Sequence, residues 1–180
     1  MPFGRPKRAR EPLTETELLD YAAKSLGARM QSERDLRRKL RDRAEPGPTG
    51  AEAVDAVIAK LKELRYLSDE RYAVDFARLR QENRSLGRRR VQQDLQNKGI
   101  ASPVITEALE SAYKGVDEVA LVRQHIERKR LQAPTDDKST ARILRRLTAA
   151  GFSSKSIFTV LRQLRSGESI DTAEAAIADD

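Results

Sequence analysis

Apolar side chains recur four residues apart at three places in this chain, as Leu36 and Leu40, Val91 and Leu95, and Ile143 and Leu147, with polar and basic residues between them. That interval puts each pair on one face of an α-helix. The second and third places belong to segments that align without a gap at an offset of 52 residues: Arg90–Leu109 with Arg142–Leu161. The alignment pairs Gly99 with Gly151, Ile100 with Phe152, Ser102 with Ser154, Ile105 with Ile157 and Leu109 with Leu161. Each pair has a physical role. A glycine just past a helix takes the left-handed conformation that ends it, and the apolar residue that follows packs back on the finished helix. Ser102 and Ser154 offer hydroxyls to cap the next helix, and Pro103 suits a first helical position because its missing N–H costs nothing there. The unit is helix, glycine turn, helix. A weaker copy occupies Ser32–Arg43, where Ala44–Gly50 makes a longer turn and Thr49 with Glu52 reads as a capping box for a helix carrying Val54, Val57, Ile58, Leu61 and Leu64.

A further amphipathic stretch precedes each helix pair: Leu18–Leu26, Tyr72–Leu79 and Val119–Leu131. Thr14 with Glu17 has capping-box spacing ahead of the first, and Ser68 or Asp69 caps the second. The expected fold is therefore all-α: three tandem three-helix repeats, about nine helices, in an elongated, curved array. The expected divisions are a basic tail over 1–12, repeats over 13–66, 67–115 and 116–166, and an acidic tail over 167–180. Helices of about three turns are marginal alone, so each repeat forms a small bundle that leans on its neighbour.

Composition agrees with this reading. Of the 180 residues 35% are charged and only 38% hydrophobic, which favours small modules over one large core. The absence of cysteine excludes a disulfide framework and thiolate metal sites, and fits a reducing cytoplasm. No apolar run is long enough for a membrane span, and no apolar core follows the basic start as in a signal peptide. The net charge is +7, but residues 1–12 carry +3 and residues 167–180 carry −5, so the body between is more basic than the total implies. Such a body attracts polyanions.

Catalytic groups are scarce. His125 is the only histidine, so neither a zinc site nor a Ser–His pair has its usual partners, and a surface or packing role fits it. No phosphate-cradling glycine motif is present, and Asp136-Asp137 reads as a helix start. The expectation is a binding protein, not an enzyme, with no cofactor and no metal. Basic residues instead cluster at like places in the repeats: Arg37, Arg38 and Lys39; Arg88, Arg89 and Arg90, with Lys98 at the end of the same helix; Arg128, Lys129 and Arg130; and Arg142, Arg145 and Arg146. Charge repeated on one element of similar units makes a stripe suited to an extended anionic partner. The competing reading is ion-paired, solvated helix faces. The aromatic residues, including Tyr72, Phe76, Phe152 and Phe158, occupy positions expected to be core, which argues against base stacking. Gln92, Gln93 and Gln96 beside Arg88 and Arg89 leave room for a helix-turn-helix-like DNA-binding regulator.

Two stretches resemble a known family. Tyr66-Leu-Ser-Asp-Glu-Arg-Tyr-Ala73 and Leu86-Gly-Arg-Arg-Arg-Val-Gln-Gln-Asp-Leu-Gln-Asn-Lys-Gly-Ile100 are similar to the signature region of RecX regulatory proteins, with Ser68 where the family often has an acidic residue. The resemblance covers 13–166 and leaves both tails outside. It implies a regulator of the bacterial RecA recombinase that binds the RecA filament on DNA and restrains filament extension, strand exchange, ATP hydrolysis and coprotease activity, and so modulates recombination, repair and the SOS response. The implied partners are the RecA filament and, nonspecifically and weakly, single-stranded or duplex DNA. A monomer is expected.

Overall fold

In the computed structural model, which describes residues 11–166, nine α-helices and no strands occur among the described residues. They are α1 (Glu15–Ala28), α2 (Glu33–Arg41), α3 (Pro48–Glu63), α4 (Asp69–Arg84), α5 (Arg88–Asn97), α6 (Ser102–Tyr113), α7 (Glu118–Arg128), α8 (Asp137–Ala149) and α9 (Ser154–Ser166). None is long and apolar enough to cross a membrane. The basic stretch 1–10 and the acidic segment 167–180 lie outside the described residues. The chain divides into two compact units, one taking in the described residues up to Tyr72 together with Lys98–Ile100, the other Ala73–Asn97 and Ala101 onward.

In the first unit α1, α2 and α3 pack on one another around Leu18, Leu36, Leu40, Val54, Val57, Ile58 and Leu61. The four-residue spacing of Leu36 and Leu40 sends both fully inside, as expected. Helix α1 opens with the expected capping box, Thr14 and Glu17 each bonding the other's backbone N–H. Helix α3 begins differently from the expected Thr49 cap. Gly47, at φ +106°, precedes a helix that starts at Pro48, so Thr49 already lies inside the first turn and has no capping bond. The fixed φ of proline at the first position decides this start. Gly50 then allows the loop to fold closely over the turn, since a Cβ there would meet the Glu45 carbonyl oxygen.

In the second unit α5 packs on α6, and α9 packs on both α7 and α8. The larger core gathers Leu121, Val122, Ile143, Leu147, Phe152, Ile157 and Leu161, with Leu86 and Tyr113 packed against it. Gly99 and Gly151 take positive φ, +79° and +90°, as their place after α5 and α8 requires. At Gly151 the turn is a Schellman motif: Gly151 N–H bonds the Thr148 carbonyl and Phe152 N–H the Leu147 carbonyl. The expected serine caps lie one residue out of place. Ser153, not Ser154, accepts from Ser156 N–H at 3.3 Å, and α6 has no side-chain cap because the matching position is Ala101. Asp136 caps α8 in a box with Ser139, the expected helix start. Phe158, expected inside, is 53% exposed, because α9 turns Ile157, Val160 and Leu161 inward and leaves Phe158 beside that face.

These backbone demands set a stability contrast. Gly151→Ala places a Cβ 2.2 Å from Arg90 N at a left-handed residue and is expected to cost at least about 2 kcal/mol. Gly27→Ala, in helical α1 with nothing within 4 Å, is expected to stabilise by about 0.4–1 kcal/mol. Urea unfolding of the two variants checks both signs.

Candidate functional site

The thirteen basic residues fall into two groups once their neighbours are known. Those of the first unit are engaged within the protein. Arg37 bonds Asp55 and, at 3.0 Å, Glu33; Arg38 bonds Asp35 at 3.1 Å; and Lys98 also bonds Asp35, at 2.6 Å. Lys39 donates to the Ser25 hydroxyl at 3.1 Å, and its amine is held below the usual lysine range by burial and by the neighbouring Arg29 and Arg38 charges. Lys62 adds a second cation on Glu33, whose carboxyl stays below its ordinary range although partial burial opposes this, because Lys62 and Arg37 donate to it. This cluster is the ion-paired face that the sequence left as an alternative. Over 11–72 and 98–100 there are thirteen basic and thirteen acidic side chains, a net charge of zero.

The second unit differs. Over 73–97 and 101–166 it holds 18 basic and 10 acidic side chains, a net +8. Arg90 pairs with Asp94 at 3.1 Å. Arg88, Arg89, Arg128, Lys129, Arg130, Arg142, Arg145 and Arg146 are all exposed and have no carboxylate within ion-pair distance among the described residues. Exposed cations without partners keep their full attraction for an anion, because no internal pair must be broken first.

Backbone contacts bring two of these clusters together. Gly87 N–H donates to the Ala150 carbonyl at 2.9 Å and Arg89 N–H to the Gly151 carbonyl at 3.3 Å, joining the first turn of α5 to the turn that ends α8, one helical turn past Arg146. The approach is possible because both residues lack side chains: a Cβ on Gly87 would lie 2.3 Å from the Gly151 carbonyl. At the start of α5 the amides of Gly87 and Arg89 are thus occupied by protein carbonyls.

Two further contacts fix the linker that feeds α5. Tyr113 Oη donates to the Leu86 carbonyl at 2.7 Å, and burial pushes its phenol well above the usual range. His125 Nδ1 lies 2.9 Å from the Ser85 carbonyl, which only accepts, so Nδ1 carries the hydrogen. The imidazole is buried and meets Phe152 edge-on at 5.4 Å between centroids, the packing role expected for it. Glu118, at the start of α7, accepts from Ser153 N–H and from the hydroxyls of Ser153 and Ser156. Burial opposes its ionisation, but those donors and the Arg89 charge keep the carboxyl below its ordinary range.

Arg128–Arg130 stand apart from this junction. Lys129 is the C-cap of α7, and Arg130 at φ +49° closes a Schellman motif through Arg130 N–H to Glu127 and Leu131 N–H to Ile126. Cations there also suit the negative end of the helix. Beyond the expected residues, Tyr66 is 70% exposed, which with Phe158 gives two surface aromatics; a helical projection placing Phe158 off the Ile157–Val160–Leu161 stripe would have found one of them. No group of three or more His, Asp or Glu side chains among the described residues could hold a metal ion.

The comparisons with known proteins agree with the helical repeat. The profile of RecX, second three-helix domain, matches residues 68–109. A regulatory protein RecX of Pelodictyon phaeoclathratiforme is 31% identical over 150 residues, 81% of this chain and 88% of that protein. One from Actinobacillus pleuropneumoniae serotype 5b is 33% identical over 140 residues, 78% of this chain and 87% of the relative. A crystal structure of regulatory protein RecX superposes with a TM-score of 0.68 at 21% identity, over 83% of this chain and 71% of that one. RecX from Lactobacillus salivarius gives 0.62, also at 21% identity, over 84% and 96%.

His125 makes stability depend on pH. Its burial lowers the folded-state pKa below the ordinary 6.5, so the unfolded chain binds the proton more readily. The contribution is complete above about pH 6.5 and is lost as pH falls below it. His125→Gln should be less stable at pH 7.5 and show a shallower loss between pH 7 and 5.5 in urea unfolding. Equal slopes for the two proteins would assign the loss to other groups.

Proposed function

Because the chain belongs to the RecX family of regulatory proteins, we propose that it binds the RecA filament on DNA and restrains RecA, inhibiting filament extension, strand exchange, ATP hydrolysis and coprotease activity. The observation that carries the binding part of this reading is the segregation of charge: the second unit holds a net +8 and all eight basic candidates that make no ion pair among the described residues. A nucleoprotein filament presents a continuous polyanion, and cations held on helices meet it with little ordering cost. In this reading Arg88, Arg89, Arg142, Arg145 and Arg146 face the DNA phosphates, Arg128–Arg130 extend the attraction, and Arg37, Arg38, Lys39 and Lys98 hold the first unit together. The protein acts as a cytoplasmic monomer, and ATP hydrolysis belongs to RecA.

A helix-turn-helix-like regulator acting on DNA without RecA is the second reading, favoured by exposure of Gln92, Gln93 and Gln96 on α5 beside Arg88 and Arg89. One titration separates the two. RecA-driven ATP hydrolysis on single-stranded DNA is measured with substoichiometric amounts of this protein, alongside binding of the same DNA without RecA. Inhibition without tight RecA-free binding supports the first reading; sequence-preferring binding with no inhibition supports the second. Arg88→Glu/Arg89→Glu and Arg145→Glu/Arg146→Glu are each expected to raise the concentration for half-inhibition by about tenfold, from loss of roughly 1.4 kcal/mol or more of phosphate attraction. Arg37→Gln/Arg38→Gln is expected to change it by less than about twofold, since those side chains already have partners. Circular dichroism confirms that each variant is folded.

A further inference from the structure

We propose that the outer face of α9 is a stacking site for one base of a single-stranded nucleic acid, with Phe158 as the platform and Lys155 and Arg162 holding the phosphates on either side. This assignment rests on the reading of the protein as one that meets DNA, and it adds which form of DNA is gripped and where. A lone exposed apolar residue is ordinary. What distinguishes Phe158 is its setting. It is the only exposed aromatic side chain among the described residues of the second unit, which removes the objection to base stacking that its expected burial raised. Lys155, Phe158 and Arg162 lie within about 60° of one another around the helix at 3.6 residues per turn, and all three are exposed, while Ile157, Val160 and Leu161 are buried. Along the axis Lys155 stands about 4.5 Å before Phe158 and Arg162 about 6 Å after it. From Ser154 to Ser166 the helix carries three basic residues and no acidic one, and of the three only Arg165 makes an ion pair, with Asp137, among the described residues. No exposed aromatic side chain lies on α5, α7 or α8, so their cations attract phosphate in a duplex or a single strand alike.

The order cation, ring, cation selects the ligand. A nucleotide within a strand presents a planar face between two phosphates, and this face of α9 offers the complementary groups in the same sequence. Inside a duplex the base faces are covered by neighbouring pairs, so only a strand with unstacked bases can use the ring. The helix beneath Phe158 is held by buried Ile157 and Leu161, and the phenyl has only two torsions to order, so little entropy is lost when a base settles on it. One base stacked on an aromatic side chain raises affinity by a factor of about five to a hundred. Every base has such a face, so the site is indifferent to sequence.

The chain contains no tryptophan, so Phe158→Trp puts a single fluorescent reporter at the contact. The full-length variant is titrated at low salt with an oligodeoxyadenylate, with an abasic strand of the same length and with relaxed circular duplex DNA. The oligodeoxyadenylate is expected to quench the indole, and the other two to leave it unquenched. With a labelled oligodeoxyadenylate, Phe158→Ala and Phe158→Leu are each expected to weaken binding by at least about fivefold, while affinity for the abasic strand changes by less than about twofold. Lys155→Gln/Arg162→Gln is expected to flatten the slope of log affinity against log salt by about 1.4, the contribution of two phosphates on a single strand. An indole that no strand quenches overturns the proposal, as does equal quenching by the duplex, or an equal loss of affinity for the abasic strand in Phe158→Ala. Loss of RecA inhibition in Phe158→Ala without quenching by any nucleic acid would assign the face to a protein partner and overturn it too. Loss of inhibition in Arg88→Glu/Arg89→Glu with an unquenched indole would keep the phosphate reading of α5 and remove this site; quenching by the single strand with inhibition intact in that variant would do the reverse.

Discussion

At residues 87 and 151 of the second unit two main chains meet with no side chain between them, and the carbonyls of Ala150 and Gly151 take up the first amides of α5. Much else in that unit follows from this contact. It needs glycine on both sides, it needs α8 to end in a left-handed residue, and it needs the linker before α5 held at a fixed height. Tyr113 and His125 supply the last condition by gripping the consecutive carbonyls of Leu86 and Ser85. The first unit meets the equivalent requirement with a side chain. There the Ser32 hydroxyl donates to the Lys98 carbonyl at 2.9 Å, and Lys98 stands 52 residues before Ala150 in the repeat alignment. Ser32 precedes α2 as Gly87 precedes α5. One unit thus joins its elements through a hydroxyl and tolerates a Cβ, whereas the other joins them backbone to backbone and does not.

Charge follows the same division. In the first unit the short helices are tied by ion pairs that cross from one helix to another, as Lys62 and Arg37 do to Glu33 and Asp55, and the unit as a whole is neutral. In the second unit the joining leans on backbone contacts, on Tyr113 and His125 and on the Glu118 carboxylate, and although Arg78, Arg90 and Arg165 make ion pairs, Arg88, Arg89 and the three arginines of α8 do not. Exposed ion pairs add little stability, so this division matters mainly for what each unit offers to a partner.

The repeat, the helix faces and the glycine turns were legible because they rest on periodicity and on one residue type with a unique conformational range. Leu36, Val91 and Ile143 are buried where their spacing put them. Thr14 capped α1 as read, Asp136-Asp137 began α8 as read and Ser68, one of the two residues offered, accepts from Arg71 N–H, while at Ser153-Ser154 the upstream hydroxyl took the role and at Thr49 the proline before it settled the helix start. Phe158 was misplaced because the repeat alignment does not fix the helical phase of a position between two core residues. The sorting of basic residues was hidden for a different reason. Arg37 and Arg88 look alike in one dimension, and what distinguishes them is Asp55, 18 residues further on, which the fold brings to Arg37.

The glycine-to-carbonyl junction also sets where substitutions are tolerated. A joint made from main-chain atoms asks of its surroundings only that no Cβ stand at residues 87 and 151, so other surface positions on α5 and α8 can change without unseating it. The joint through the Ser32 hydroxyl has the opposite logic: it accepts a Cβ but depends on one particular side chain.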